Sequence, residues 1–204
     1  MIQTYDAYVT AVIFDAAGRA LFALGDGTVR TEAGETLEAH DGAVLSAVAH
    51  PSGEGVLTGG DDGRLVWSKA GGVQEIAKVP GRWLDAVDAS AESKLVAFSA
   101  GKELHVRDLA DPSFSRVFTH ERSVAGVAFD SKGRRIATAT YGGAWLWYAR
   151  IADQKPVVLK WAGSHQAVAW SPDGKFLMSA MQENALHGWR VADEKNLRMG
   201  GYPA

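Results

Sequence analysis

The sequence predicts an all-β fold made of repeated four-stranded antiparallel units, and three observations predict it. The segment "VAFDSKGRRIATA" at 127–139 returns as "VAWSPDGKFLMSA" at 168–180, 41 positions later. Apolar runs of four to six residues, rich in Val, Ile, Trp, Phe and Thr, are bounded throughout by Gly, Asp, Asn, Ser and Pro, the pattern of short strands joined by hairpins. No segment holds an apolar stripe at the helical period over three turns, so no helix is predicted.

The repeat runs the length of the chain. The turn glycine of the motif falls at Gly18, Gly53, Gly133 and Gly174, with Ser93 in its place in the third unit, in steps of 35, 40, 40 and 41 residues. Five units result, at about 5–39, 40–79, 80–119, 120–160 and 161–201. Each opens on a first apolar run: Val12 to Phe14, Ala47 to Ala49, Val87 to Ala89, Val127 to Phe129, Val168 to Trp170. A polar turn follows, twice with proline (Pro51, Pro172), and then a second run such as Leu95 to Phe98 or Ile136 to Ala139. Tight turns at 25–27, 59–63 and 141–143 lead to a third run, "RLVW" at 64–67 or "AWLW" at 144–147. A more polar fourth run closes the unit, as in "QEIAKV" at 74–79 and "PVVLK" at 156–160. Four strands in about 40 residues is the period of a β-propeller blade. A lone blade leaves two apolar faces bare, and stacked blades cover them, which is the physical reason for the repetition.

Composition narrows the function. The 204 residues carry 21 Lys and Arg against 24 Asp and Glu, a formal net charge of −3. No basic footprint marks a nucleic-acid partner and no polybasic handle marks a membrane. Cysteine is absent, which excludes disulfides, thiolate metal sites and cysteine nucleophiles. The opening "MIQTYDAYVT" has neither the basic region nor the apolar stretch of a secretory signal. No run of about 18 apolar residues offers a membrane-spanning helix, and the expected location is the cytoplasm.

The units resemble the WD-repeat β-propeller family. "VAWSPDG" at 168–174 is close to that family's second-strand phrase, "GGDDGRLVW" at 59–67 resembles its turn into the third strand, and His40 and His120 stand where the family often has histidine. The resemblance implies a rigid, non-catalytic scaffold that binds proteins or peptides on the propeller face. The chain departs from the pattern too. No Trp-Asp dipeptide occurs, and no unit clearly keeps the family's His, Asp, Ser or Thr, and Trp together: Trp67 comes one place early, "YGG" replaces the Asp turn of the fourth unit, and Arg107 stands where Trp is usual. Blade stability is therefore expected to rest on apolar packing more than on a repeated polar network. The plain, Ala- and Gly-rich units read as a bacterial version.

Stepping 41 residues from His120 gives Trp161 and then Tyr202, so "GGYPA" at 200–204 stands where a sixth unit opens. The family's common ring of seven blades needs roughly 280 to 320 residues, so the five units are expected to be the N-terminal part of a larger ring, truncated at the C-terminus and prone to self-association through bare blade edges.

Catalytic, cofactor and metal sites are not expected. "GGDDG" at 59–63 lacks the Gly-Lys-Ser/Thr of a phosphate loop and reads as a turn. His40 and His120 belong to the repeat, His105 and His187 share one repeat position two units apart, His50 lies in a turn and His165 begins a first strand. No Gly-x-Ser-x-Gly elbow occurs, and Asp85 and Asp88 have no evident role. Trp83 in "PGRWLDAV" and Tyr8 in "YDAYVTAV" hold matching places ahead of a first strand, where Trp83 either caps the blade below or meets a partner. Arg82 and Trp83 form the kind of anchor that dominates interfaces. Tyr8, Arg82 and Trp83 are thus the candidate partner contacts. The second reading, an enzyme or small-ligand binder with a central-channel site, calls for acidic or histidine residues at one repeat position in several blades, and none recur.

Overall fold

The computed structural model describes residues 4–200, and the chain forms two compact units, one up to Val87 and one from Asp88 onward. The reading of "GGYPA" as a further opening lies outside the described residues. In the first unit, β1 (Val9–Phe14), β2 (Ala20–Leu24), β3 (Thr28–Thr31) and β4 (Thr36–Glu38) make one antiparallel sheet in sequence order. β5 (Val44–Ala49), β6 (Val56–Gly60), β7 (Arg64–Lys69) and β8 (Gly72–Lys78) make a second.

Strand alternation sends neighbouring side chains to opposite faces. Ile13 of β1 therefore joins Leu21, Val29 and Leu37 on the face that packs against Val56 and Val66 of the second blade. Val12 and Phe14, on the other face of β1, are 46% and 62% exposed. Every residue of β6 is buried, as expected of a strand covered on both faces.

In the second unit, β9 (Val87–Ser90), β10 (Leu95–Ala100), β11 (Glu103–Asp108) and β12 (Ser115–Thr119) form a four-stranded blade. β13 (Val124–Phe129), β14 (Arg135–Tyr148), β15 (Val157–Trp170), β16 (Phe176–Met181), β17 (Ala185–Arg190) and β18 (Lys195–Gly200) follow as one sheet of six runs. Two of these runs are 14 residues long because each serves twice. β14 doubles back at Gly142 and Gly143 (φ 94° and 142°), so the Ala149 N–H donates to the Arg134 carbonyl at 2.9 Å. β15 pairs first with β14 (Gly143 opposite Lys160) and then with β16 (Trp170 opposite Leu177). It is the outer strand of one blade and the first strand of the next. Counted this way, the described residues hold five four-stranded blades.

Hydrogen bonds cross between neighbouring blades. The Phe129 N–H donates to Asp88 Oδ2 at 2.7 Å, Trp170 Nε1–H to the Ala128 carbonyl at 3.0 Å, and an Arg135 guanidinium N–H to the Gly174 carbonyl at 2.9 Å. Asp88, without a role in the sequence, is thus an inter-blade acceptor. Burial pushes its carboxyl up, against the lowering pull of the Phe129 amide.

Gly63 and Gly71 separate backbone strain from crowding. Both have positive φ, 77° and 85°. A Cβ on Gly63 would lie 2.4 Å from the Val79 carbonyl oxygen, whereas one on Gly71 meets nothing within 4 Å. Gly71→Ala is expected to lower unfolding stability by about 1 kcal/mol, and Gly63→Ala by at least twice that. Denaturant unfolding of the two variants checks the ordering, and equal losses would contradict it.

Candidate interaction surface

Buried histidines pin the loops that surround the blade ends. In the second blade His40 Nε2 lies 2.8 Å from Thr58 Oγ1, and His40 Nδ1 lies 3.0 Å from Asp62 Oδ1. Desolvation opposes the charge on Asp62, yet the His40 ring and the Arg64 and Asp41 amides hold its carboxyl below the usual range. In the fourth blade the Trp147 Nε1–H donates to His120 Nε2 at 3.0 Å, and the Thr138 hydroxyl lies 2.9 Å from the same nitrogen. His120 Nδ1 is 3.2 Å from the Lys102 carbonyl. These partners fit a neutral ring with its proton on Nδ1, and burial pushes the His120 pKa down to about 4. In the fifth blade His165 takes the role, with Nδ1 at 2.7 Å from Ser179 Oγ and Nε2 at 3.0 Å from the Trp161 carbonyl.

Three blades thus carry partial polar networks beside their apolar packing, and none of the three joins a His, an Asp, a hydroxyl and a Trp together. Sequence reasoning fixed the histidine place by constant steps and so put Trp161 there, but His165, four residues on, reaches the hydroxyl. Trp67 leaves the network altogether: its Nε1–H donates to the Glu54 carbonyl at 2.8 Å and its ring stacks on His50 at 4.0 Å. In the first and third blades Phe22 and Phe98 occupy the place of the hydroxyl residue, beside Tyr5 and His105 respectively.

The candidate contacts sit on the segments that precede first strands. The Leu84 N–H donates to the Gly60 carbonyl, which ties the segment to the turn after β6, and the Leu84 side chain is fully buried. Alternation then points Trp83 outward, and it is 63% exposed. Arg82 beside it is exposed. Tyr8 holds the matching place ahead of β1, where its carbonyl accepts the Gly25 N–H at 2.8 Å and its ring is 89% exposed. No hydrogen bond, ion pair or ring contact joins Tyr8 to Arg82 or Trp83 among the described residues. No three His, Asp or Glu side chains converge as a metal would need among the described residues. No helix there is long and apolar enough to cross a membrane.

These blades define a β-propeller type of protein. The family described as "WD domain, G-beta repeat" matches residues 32–67, a stretch that takes in β4 of one blade and β5, β6 and most of β7 of the next. The chain is similar to the Intraflagellar transport protein 80 homolog of Mus musculus, with 29% identity over 171 residues, covering 79% of this chain and 22% of the relative. The Rattus norvegicus protein of the same name matches to the same extent. The Protein LST8 homolog of Drosophila melanogaster is 30% identical over 102 residues, 48% of this chain and 33% of the relative. The chain spans from about a fifth to a third of the length of these curated relatives. Residues 32–67 thus match a WD repeat, and the other units share its period and blade topology.

The His120 environment sets a pH dependence. The folded-state pKa of about 4 lies below the ordinary 6.5, so the unfolded chain takes up the proton first as pH falls. The contribution is complete above the ordinary value and drains away as pH drops toward 4, by on the order of 3 kcal/mol in all. Denaturant unfolding measured across this range is expected to lose stability less steeply in His120→Gln than in the unsubstituted protein. Coincident slopes would show that His120 is not held neutral.

Proposed function

We propose that the chain is a non-catalytic scaffold of the cytoplasm that binds protein or peptide partners through the propeller face, with Arg82, Trp83 and Tyr8 among the contacts. The observation that carries the reading is the outward display of two aromatic rings at matching places, on backbone tied down by the Gly25 N–H to the Tyr8 carbonyl and by the Leu84 N–H to the Gly60 carbonyl. Trp, Tyr and Arg are the side chains that most often concentrate binding energy, and rings held on a rigid frame lose little entropy on binding. The channel-site reading finds less support: Asp88, a buried carboxylate on a first strand, already accepts the Phe129 amide. We also propose that the five blades belong to a larger ring. The apolar face of β1 with Val12 and Phe14 supports this, because the like face of the second blade is one that a neighbouring blade covers.

Quantitative affinity capture from the source cells, comparing the chain with Arg82→Ala/Trp83→Ala, tests the scaffold reading. At least one partner is expected to fall about tenfold or more in recovery while the thermal midpoint stays in place. Unchanged recovery of every partner would remove these residues from the interface. The β1 face is tested by light scattering. The isolated chain is expected to self-associate and Val12→Lys/Phe14→Lys to be monomeric, and a chain monomeric without substitution would count against the larger ring.

A further inference from the structure

The second unit carries an open groove that none of the candidate contacts touches. A depression of ≈ 600 Å³ is lined by Arg122, Tyr141, Trp145, Lys160 and Trp161, with Glu121 on its rim. At Trp161 it meets a second depression of ≈ 310 Å³, lined by Met181, Glu183 and Arg198. The walls come from the entry to β13, from β14 and its turn, from β15, from the end of β16 and the turn after it, and from β17 and β18.

The aromatic walls are held in place. Trp161 stacks on the His187 ring at 4.0 Å, and Trp145 lies 6.1 Å from the Trp147 ring and 5.2 Å from His120. Tyr141, at the tip of the β14 turn, is 64% exposed. Its neighbour Gly142 has φ 94°, which keeps that turn tight.

The charges around these rings are unevenly satisfied. Elsewhere in this unit Arg135 pairs with Asp130, Arg150 with Asp108, Lys175 with Asp173 and Arg190 with Asp193. The side chains of Arg122, Lys160 and Arg198 take part in no ion pair or hydrogen bond among the described residues, and all three residues are exposed. Of the two groove carboxylates, Glu183 is engaged: both its oxygens accept the Ser164 N–H at 3.2 Å. Three unpaired cations therefore stand beside two carboxylates, Glu121 and Glu183, an excess of one positive charge.

We propose that this groove binds an extended acidic peptide segment with an apolar or aromatic anchor residue. The anchor seats between Trp145 and Trp161, and carboxylates on either side of it meet Arg122, Lys160 and Arg198. Cations beside apolar walls suit such a segment: the rings supply the desolvated contact, and the charges set register and exclude basic sequences. The inference rests on the scaffold reading and gives it a second surface and a partner chemistry.

The test uses the full chain and labelled synthetic peptides of about ten residues: Asp- and Glu-rich around a central Phe, the same with Lys for the acids, and the same with Ser for Phe. Fluorescence anisotropy is expected to show binding of the first alone, weakened as salt rises from about 50 to about 500 mM. Arg122→Glu/Lys160→Glu/Arg198→Glu and Tyr141→Ala, all at exposed side chains, are each expected to weaken it by about tenfold or more. Arg82→Ala/Trp83→Ala is expected to leave it unchanged. Equal binding of the acidic and basic peptides, or indifference to the charge reversals, overturns the groove. If no peptide binds while cellular capture still depends on Arg82 and Trp83, the groove fails and the scaffold reading stands.

Discussion

Adjacent residues of one strand belong to two different cores. Ile136 of β14 packs with Leu95, Leu104 and Val106 of the blade before it, and Ala137 packs with Leu177 and Trp189 of the blade after it. This is the consequence of strand alternation in a sheet with no solvent face. A single blade therefore has two apolar faces and cannot bury either alone. Full burial of a side chain such as Leu104 or Leu177 contributes about 1.5 to 3 kcal/mol, and only a neighbouring blade supplies the cover. Repetition of the sequence follows from that requirement, as does the wholly apolar or small-residue character of the second strands.

Apolar packing is non-directional, so polar contacts fix how blades meet. The amide of Phe129 on Asp88 and the indole of Trp170 on the Ala128 carbonyl join first strands directly. The histidines act one level out, on the loops. A neutral imidazole offers one donor and one acceptor, which lets His120 join Lys102, Thr138 and Trp147 without burying a charge. Where no hydroxyl faces the site, as at Phe22 and Phe98, ring packing replaces the hydrogen bonds. The polar and apolar versions fill the same register of the second strand, so either holds the blade while the loop beyond it differs.

Strands and turns were legible because they are encoded locally. The period, the alternation and the turn glycines are read from neighbours a few residues apart, and each blade follows from them. The doubled roles of β14 and β15 were less visible, since the break between runs at 141–143 and at 161–164 is a change of partner and not a change of composition. The histidine networks were partly hidden by the assumption of constant steps. His165 stands four residues beyond the expected place and reaches Ser179 because the chain bends within β15. Trp67 is displaced by one residue, which is enough in a strand to turn a ring to the other face, where it stacks on His50.

The groove was not legible at all, and the reason separates two kinds of encoding. Several arginines here are satisfied within a turn: Arg19 by Asp15, Arg135 by Asp130 and Arg190 by Asp193, each pair within five residues. Such pairs are visible in sequence and belong to the hairpins that carry them. Arg122, Lys160 and Arg198 lie far apart in the chain, on the entry to β13, on β15 and on β18, and line two depressions that share Trp161. Nothing in the blade cores requires a cation at any of them. Surface ion pairs contribute little to stability, so leaving these three unpaired costs the fold little. A site made of residues the core does not constrain can change its partner without changing its frame.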